Sequence, residues 1–405
     1  MKNNFCILPW IHMHIWPNGS VYPCCMSDTD QALGNINDMP IDEVINSEEF
    51  KTLRKQFMND EKPDMCTRCF ELEDTADTWT LRKSSLETFK HYLPLAEETQ
   101  KDGTIDDFKM RYMDIRFSNL CNMKCRTCGP ELSSKWYDHQ IKLFPGYERP
   151  KFIDVNSADD FMGKLRPHLD TIEEVYFAGG EVIITPEHYE CLDYWIENGL
   201  NEQIELTYTT NFSVLKYKDK NLIEYWKKFP KLRIWASLDA QGDVAELVRK
   251  GTDWKKIARN LKKVRELVPH AQFQITPTIS IYNVFQFPKF FDWLVEEGFI
   301  DIEGPRWYDG PRFNLCTGPG YMDIKVLPEH VKKKLSDIYY EYQMKYDKRS
   351  FNGFRMIKYA LDVGGENKEA ILEFKKYNEE LDGYRAEDML KTIPELKEVY
   401  EWAES

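Results

Sequence analysis

The sequence lacks the features that mark a membrane span, a secreted chain or a nucleic-acid coat. No apolar run among its 405 residues approaches the roughly 18 that a spanning helix needs. The opening MKNNFCILPWIHMHIW has no basic region followed by an apolar signal core, so a cytoplasmic location is expected. Positive charge is in short supply: 54 Lys and Arg face 68 Asp and Glu, and the formal net charge of -14 has the wrong sign for wrapping nucleic acid. Low-complexity segments are also missing, while 42% hydrophobic and 14% aromatic residues supply a core, which excludes extended disorder.

Cysteine, by contrast, is plentiful. Ten cysteines in a chain without a secretion signal point to metal or redox chemistry, because the cytosol keeps thiols reduced. Eight of them fall in two groups, Cys6/Cys24/Cys25/Cys66/Cys69 and Cys121/Cys125/Cys128, with Cys191 and Cys316 apart. Two separate metal sites are the economical reading. The length exceeds what one compact domain usually needs, so two or three units are expected.

Along the chain, WIHMHIWPNGSVY at 10–22 sets an Asn-Gly turn between two strand-like segments, a hairpin signal, and Cys24 follows its second strand. From Ile41 to Met58 the apolar residues recur at helical spacing, with Ser47 as a cap. Residues 71–110 are polar and charged, which fits helix plus connection. From Arg111 the texture alternates. Strands are expected at 112–117, 172–178, 203–210, 231–238, 272–280 and about 302–308, with amphipathic helices at 186–199, 219–229, 252–266 and 286–297. Such β-α repetition implies a parallel sheet with right-handed crossovers, open or closed into a partial barrel, with the active site at the carboxyl ends of the strands. After Pro328 the text is helical and charged.

MDIRFSNLCNMKCRTCGP places Cys121, Cys125 and Cys128 in a C-x3-C-x2-C loop just after the first of these strands. Three thiolates on one loop can hold three irons of a cubane and leave the fourth open, where a molecule with an amino and a carboxylate group can chelate. Three buried thiols or a zinc site are the bland alternatives. The spacing and its place resemble the radical S-adenosylmethionine (SAM) superfamily. Ala178-Gly179-Gly180-Glu181, at the end of the second strand, resembles the family's Gly-Gly-Glu motif, which receives the SAM amino group. Thr210-Asn211 and Ser237-Leu238-Asp239, at the next two strand ends, occupy places where the family puts contacts to ribose and methionine. Arg249 resembles an arginine that pairs with the SAM carboxylate. Thr127 and Val182 depart from the commonest pattern, which has an aromatic residue and a proline there.

Cys6 and Cys24 flank the hairpin, and Cys66-x2-Cys69 follows after 41 intervening residues. Four cysteines can converge as a closed set, which suits a fully ligated electron-transfer cluster or a zinc knuckle. Cys25 is an alternative to Cys24. The pattern PW…PNGSVYPCC…LGNI…C-x2-C resembles the twitch domain, the short relative of the SPASM domain, except that it precedes the barrel. His12 and His14 share a strand face and read as exposed or hydrogen-bonded rather than ligating.

The resemblance implies an α/β protein: a partial (β/α)6 barrel at 111–310, preceded by an auxiliary iron-sulfur domain at 1–75 and a helical connection at 76–110. A mainly helical extension follows at 311–405. It implies a SAM-binding 4Fe-4S cluster on Cys121, Cys125 and Cys128, an auxiliary 4Fe-4S cluster on Cys6, Cys24, Cys66 and Cys69, and SAM itself. Gly179, Gly180, Glu181, Asn211, Ser237, Asp239 and Arg249 are the expected SAM contacts. The expected activity is reductive cleavage of SAM to a 5′-deoxyadenosyl radical that takes a hydrogen from a peptide, sugar or small metabolite. An electron donor such as flavodoxin or ferredoxin is the expected partner. An iron-sulfur binding or sensing protein without turnover is the alternative. Cys316, after the last strand, stands where a hydrogen-donating thiol would make the enzyme an epimerase, or it packs as a small hydrophobe.

Overall fold

The computed structural model describes residues 3–76, 80–155, 158–300, 313–347 and 353–405. The chain divides into two compact units, one of residues 1–120, 152–208 and 224–232, the other of residues 121–151, 209–223 and 233–405.

The first unit is built on strands whose two faces differ. The Asn18-Gly19 turn, with Gly19 at φ 81°, closes an antiparallel hairpin between His12–Ile15 and Ser20–Tyr22, and Gly34–Asn35 adds a third antiparallel strand. Strand His12–Ile15 also pairs in parallel with Tyr112–Ile115, His12 opposite Tyr112 and His14 opposite Asp114. Glu174–Phe177 continues the parallel set, and Glu205–Thr210 follows with Phe177 opposite Tyr208. Because side chains alternate across a strand, Met13, Ile15, Met113, Ile115, Val175, Phe177, Leu206 and Tyr208 share one face. All of them are buried. Helix Pro186–Glu197 packs aromatic side chains there: the rings of His188 and Trp195 lie 4.9 and 6.2 Å from Phe177. At the amino-terminal end, Ser47 accepts the Phe50 N–H and starts helix Glu48–Met58 as expected. Fully buried Arg54 on that helix donates to the carbonyls of Gly103, Pro9 and Ile45.

In the second unit, Lys231–Ala236 and Gln272–Ile275 pair in parallel from Arg233 opposite Gln272. Helices Trp254–Leu267 and Phe287–Glu296 lie where expected, the first capped by Asp253. Residues 219–229 yield the two-residue strand Lys220–Asn221 and the short helix Leu222–Trp226. The strand expected at about 302–308 lies outside the described residues. The carboxyl-terminal part holds helices Glu329–Tyr346, Gly353–Val363, Lys368–Arg385 and Leu396–Glu404. These helices lie in the stretch after Pro328 expected to be helical, and Pro394 separates the short helix Met389–Thr392 from the last one.

Candidate functional site

The cysteine loop belongs to the second unit and is held from both sides. Cys125 lies in a two-residue strand, Lys124–Cys125, antiparallel to Arg249–Lys250, with Cys125 opposite Arg249. The indole of Trp136 donates to the Cys125 carbonyl at 2.7 Å, and the Cys121 N–H reaches the Ser134 hydroxyl at 3.4 Å. Cys121 is buried, and Cys125 and Cys128 are half-buried at the residue level. Burial pushes the Cys128 thiol up to about 12 and raises that of Cys125. Thiols held this firmly protonated release their protons when a metal takes them as thiolates.

The expected SAM contacts of this unit are tied to the loop or to one another. Asn211 donates to the Asn122 side chain at 2.9 Å, one residue after Cys121, and accepts the Ser213 N–H at 2.9 Å. The Ser237 N–H donates to the Thr210 carbonyl at 2.9 Å, fixing the ends of two strands. Asp239, fully buried, takes two hydrogen bonds from Arg249: Nε at 2.7 Å and Nη2 at 3.1 Å. It also accepts the Thr278 N–H at 2.8 Å. The remaining guanidinium nitrogen, Nη1, stands 3.8 Å from Cys125 Sγ. Burial works against the charge on Arg249, and the neighbouring Asp239 and Cys125 more than offset it. Arg249 is therefore oriented by a buried carboxylate, with one edge turned to a cysteine sulfur.

Gly179, Gly180 and Glu181 belong to the first unit. Gly179 takes φ 120°, a conformation open to glycine. At Gly180 a Cβ would stand 2.2 Å from the Leu120 carbonyl oxygen, and the Glu181 N–H donates to that same oxygen at 2.8 Å. The Glu181 side chain is buried and caps the short turn Val182–Ile184, accepting the Ile183 N–H at 3.4 Å.

The amino-terminal cysteines also converge within the first unit. Cys6, Cys24, Cys66 and Cys69 line one small cavity with Arg82. Burial pushes Cys6 up to about 12 and raises Cys24 well above the usual thiol range. Cys25 turns away: its thiol faces Asp114 and Arg116. The four cysteines at this cavity are the soft donors that iron-sulfur clusters and zinc select. Among the described residues, no three His, Cys, Asp or Glu side chains are close enough to hold one metal ion.

His12 and His14 are buried. His12 Nδ1 lies 2.9 Å from the Tyr112 carbonyl, and His14 Nδ1 lies 2.9 Å from Asp114. Cys316 is buried next to the parallel pair Thr278–Ile279 and Asn314–Leu315, and its thiol faces the Gly318 carbonyl at 3.5 Å. Three residues escaped sequence reasoning: Arg82 at the amino-terminal cavity, Asp114 beside Cys25, and Arg126 inside the cysteine loop. Only Arg126 carried a signal, a charge between two cysteines.

Residues 115–294 match the family model of the radical SAM superfamily, and residues 6–70 match that of SPASM, an iron-sulfur cluster-binding domain. No curated protein matches the chain. Among solved structures, anSMEcpe with bound AdoMet is 16% identical over 56% of this chain and 59% of its own, with a TM-score of 0.41. Streptococcus suis SuiB bound to precursor peptide SuiA is 17% identical over 74% of this chain and 60% of its own, also at 0.41. The chain thus spans 59% and 60% of these two structures. Residues 115–294 thus form a radical SAM domain, preceded at residues 6–70 by a SPASM iron-sulfur cluster-binding domain.

Proposed function

We propose that the protein is a radical SAM enzyme in which Cys121, Cys125 and Cys128 hold a SAM-binding 4Fe-4S cluster and Cys6, Cys24, Cys66 and Cys69 an auxiliary one. The observation that carries this reading is the separation of the two thiol sets. A three-cysteine loop leaves one iron without a protein ligand, and a four-cysteine cavity leaves none. Held by Cys121, Cys125 and Cys128, the open cluster would supply the electron for reductive cleavage of SAM to methionine and a 5′-deoxyadenosyl radical, the species that would take a hydrogen from substrate.

This chain's residues bind and orient. Glu181 offers a buried carboxylate to the SAM ammonium, and the bare backbone at Gly180 admits the Leu120 carbonyl that accepts the Glu181 N–H. Arg249, clamped by Asp239, presents a donor edge for the SAM carboxylate and for Cys125 Sγ. Asn211 and Ser237 stand at strand ends for the nucleoside. The substrate is a peptide, sugar or small metabolite, and the electron donor a flavodoxin or ferredoxin of the cytoplasm. No helix among the described residues is long and apolar enough to cross a membrane.

Anaerobic reconstitution, iron analysis and an assay for 5′-deoxyadenosine under reducing conditions test the reading. About eight irons per chain and SAM cleavage that Cys125→Ala abolishes are expected. Full iron without 5′-deoxyadenosine would mark a binding or sensing protein instead.

A further inference from the structure

The residue after Cys125 is an arginine with no exposure at all. Arg126 is held by the end of helix Gly242–Val248, its N–H on the Val248 carbonyl at 2.7 Å and its Nε on that of Leu247 at 3.3 Å. Its guanidinium then reaches a segment about 250 residues later in the same unit. Nη1 donates to Asn378 Oδ1 at 2.7 Å, and Nη2 donates to Asp382 and to Glu387 Oε2, the latter at 2.6 Å. Asn378 Oδ1 also accepts the Tyr282 hydroxyl at 2.9 Å.

The same segment grips the partner strand. Glu387 Oε1 pairs with Lys250 at 2.8 Å, so one carboxylate bridges the residue after Cys125 and the residue after Arg249. Arg385 donates to the Lys124 carbonyl at 2.9 Å and lies 4.8 Å from the Trp136 ring, whose indole holds the Cys125 carbonyl. Ala386, at φ 51°, makes the turn that brings Glu387 back toward the loop after helix Lys368–Arg385 ends. The contacts therefore converge on the two short strands that carry Cys125 and Arg249. A buried arginine between two carboxylates is strongly destabilising to break, because either half left alone is an uncompensated buried charge.

We propose that residues 378–387 are part of the central cluster site. They position Cys125 and Arg249 through Arg126 and Lys250, and their carboxylates set the charge beside the cluster by balancing Arg126. This rests on the radical SAM reading of Cys121, Cys125 and Cys128. Arg126, Asp382 and Glu387 act as positioning residues, since none of them is a ligand. Electrostatics gives the inference a sign. Removing the Arg126 cation disfavours the extra electron and lowers the reduction potential of the central cluster, whereas removing a balancing carboxylate raises it.

The test uses the full chain, reconstituted anaerobically, with iron content and an EPR-monitored redox titration of the central cluster in the wild type, Arg126→Gln, Arg126→Lys and the double variant Asp382→Asn/Glu387→Gln. Arg126→Gln should lose central iron, about half of the total, with auxiliary iron retained as an internal measure of folding. Any central cluster left should titrate below the wild type. The double variant should titrate above it, and Arg126→Lys should restore most of the iron. Shifts in the same direction for both charge-removing variants, or wild-type iron and potential in both, overturn the proposal. A wild type that holds only the auxiliary cluster overturns the underlying reading along with it.

Discussion

Gly180→Ala is the sharpest mutational test because its effect follows from one distance. The added methyl carbon would stand 2.2 Å from the Leu120 carbonyl oxygen, 2.8 Å from its carbon and 3.0 Å from the Asn119 carbonyl carbon. All three are backbone atoms, so no side chain can swing away. The oxygen is also the acceptor for the Glu181 N–H, and Leu120 directly precedes Cys121. Overpacking of this kind costs about 1–3 kcal/mol, and a lost hydrogen bond adds roughly 0.5–1.5, so a total of about 1.5–4.5 kcal/mol is expected. For a unit of this size each kcal/mol moves the melting temperature by about 2–4 °C. Gly163, in helix Ala158–Leu165, has nothing within 4 Å of its would-be Cβ and provides the control: Gly163→Ala should stabilise by up to about 1 kcal/mol. The assay is calorimetric melting of the anaerobic protein together with SAM affinity. Gly180→Ala with wild-type melting and wild-type SAM binding would refute the close-approach argument.

Glu181→Gln keeps the shape of a buried side chain and removes its charge, so calorimetry should show SAM binding weakened by about 1–3 kcal/mol; unchanged affinity would make this glutamate only a turn cap. Cys24→Ala should lower total iron by about half while Cys25→Ala leaves it intact, because only Cys24 faces the four-cysteine cavity. Iron loss confined to Cys25→Ala would reverse that choice. Ala386→Gly relieves a left-handed alanine and should raise the melting temperature by an amount equivalent to about 1 kcal/mol, with cluster content unchanged.

Short-range patterns in the chain were legible, and long-range pairings were not. The three-cysteine loop, the hairpin turn, the Ser47 cap and four of the strand-helix repeats follow from neighbours a few residues apart, where steric and hydrogen-bond rules act directly. The choice between Cys24 and Cys25 was not legible, because it depends on Asp114 lying 89 residues on and claiming one thiol. Nor was the parallel pairing of His12–Ile15 with Tyr112–Ile115. The HMHI and YMDI segments alternate as a one-sided strand does, which normally sends the polar face to water. Here His12, His14, Tyr112 and Asp114 are buried as well. The carboxyl-terminal helices showed their amphipathic pattern but no chemistry, since an ion pair between Arg126 and Asp382 leaves no trace in local spacing.

The apolar face of the first sheet makes a prediction about acid. His188 sits on helix Pro186–Glu197 against Phe177, Tyr189 and Tyr208, and its Nε2 lies 2.7 Å from the Tyr208 hydroxyl. Its Nδ1 has no hydrogen-bond partner among the described residues. Burial alone pushes its pKa down to about 3. A histidine with an ordinary pKa near 6.5 when unfolded then takes up a proton on unfolding throughout the window between the two values. Stability from this group is fully present above about pH 6.5 and declines as pH falls toward 3, by about 1.4 kcal/mol for each pH unit. His188→Leu alone would take away the Nε2 beside the Tyr208 hydroxyl and leave that hydroxyl only the Trp226 indole, a cost of about 1–3 kcal/mol at every pH. The variant to compare is therefore His188→Leu with Tyr208→Phe, which removes both halves of the polar pair from an apolar surrounding. Urea unfolding from pH 7.5 to 4.5 should give this double variant a shallower loss of stability on acidification, by close to one proton's slope, while Tyr208→Phe alone keeps the wild-type slope. Parallel curves for the wild type and the double variant would show that His188 is already protonated in the folded protein, and that the aromatic site around it admits water.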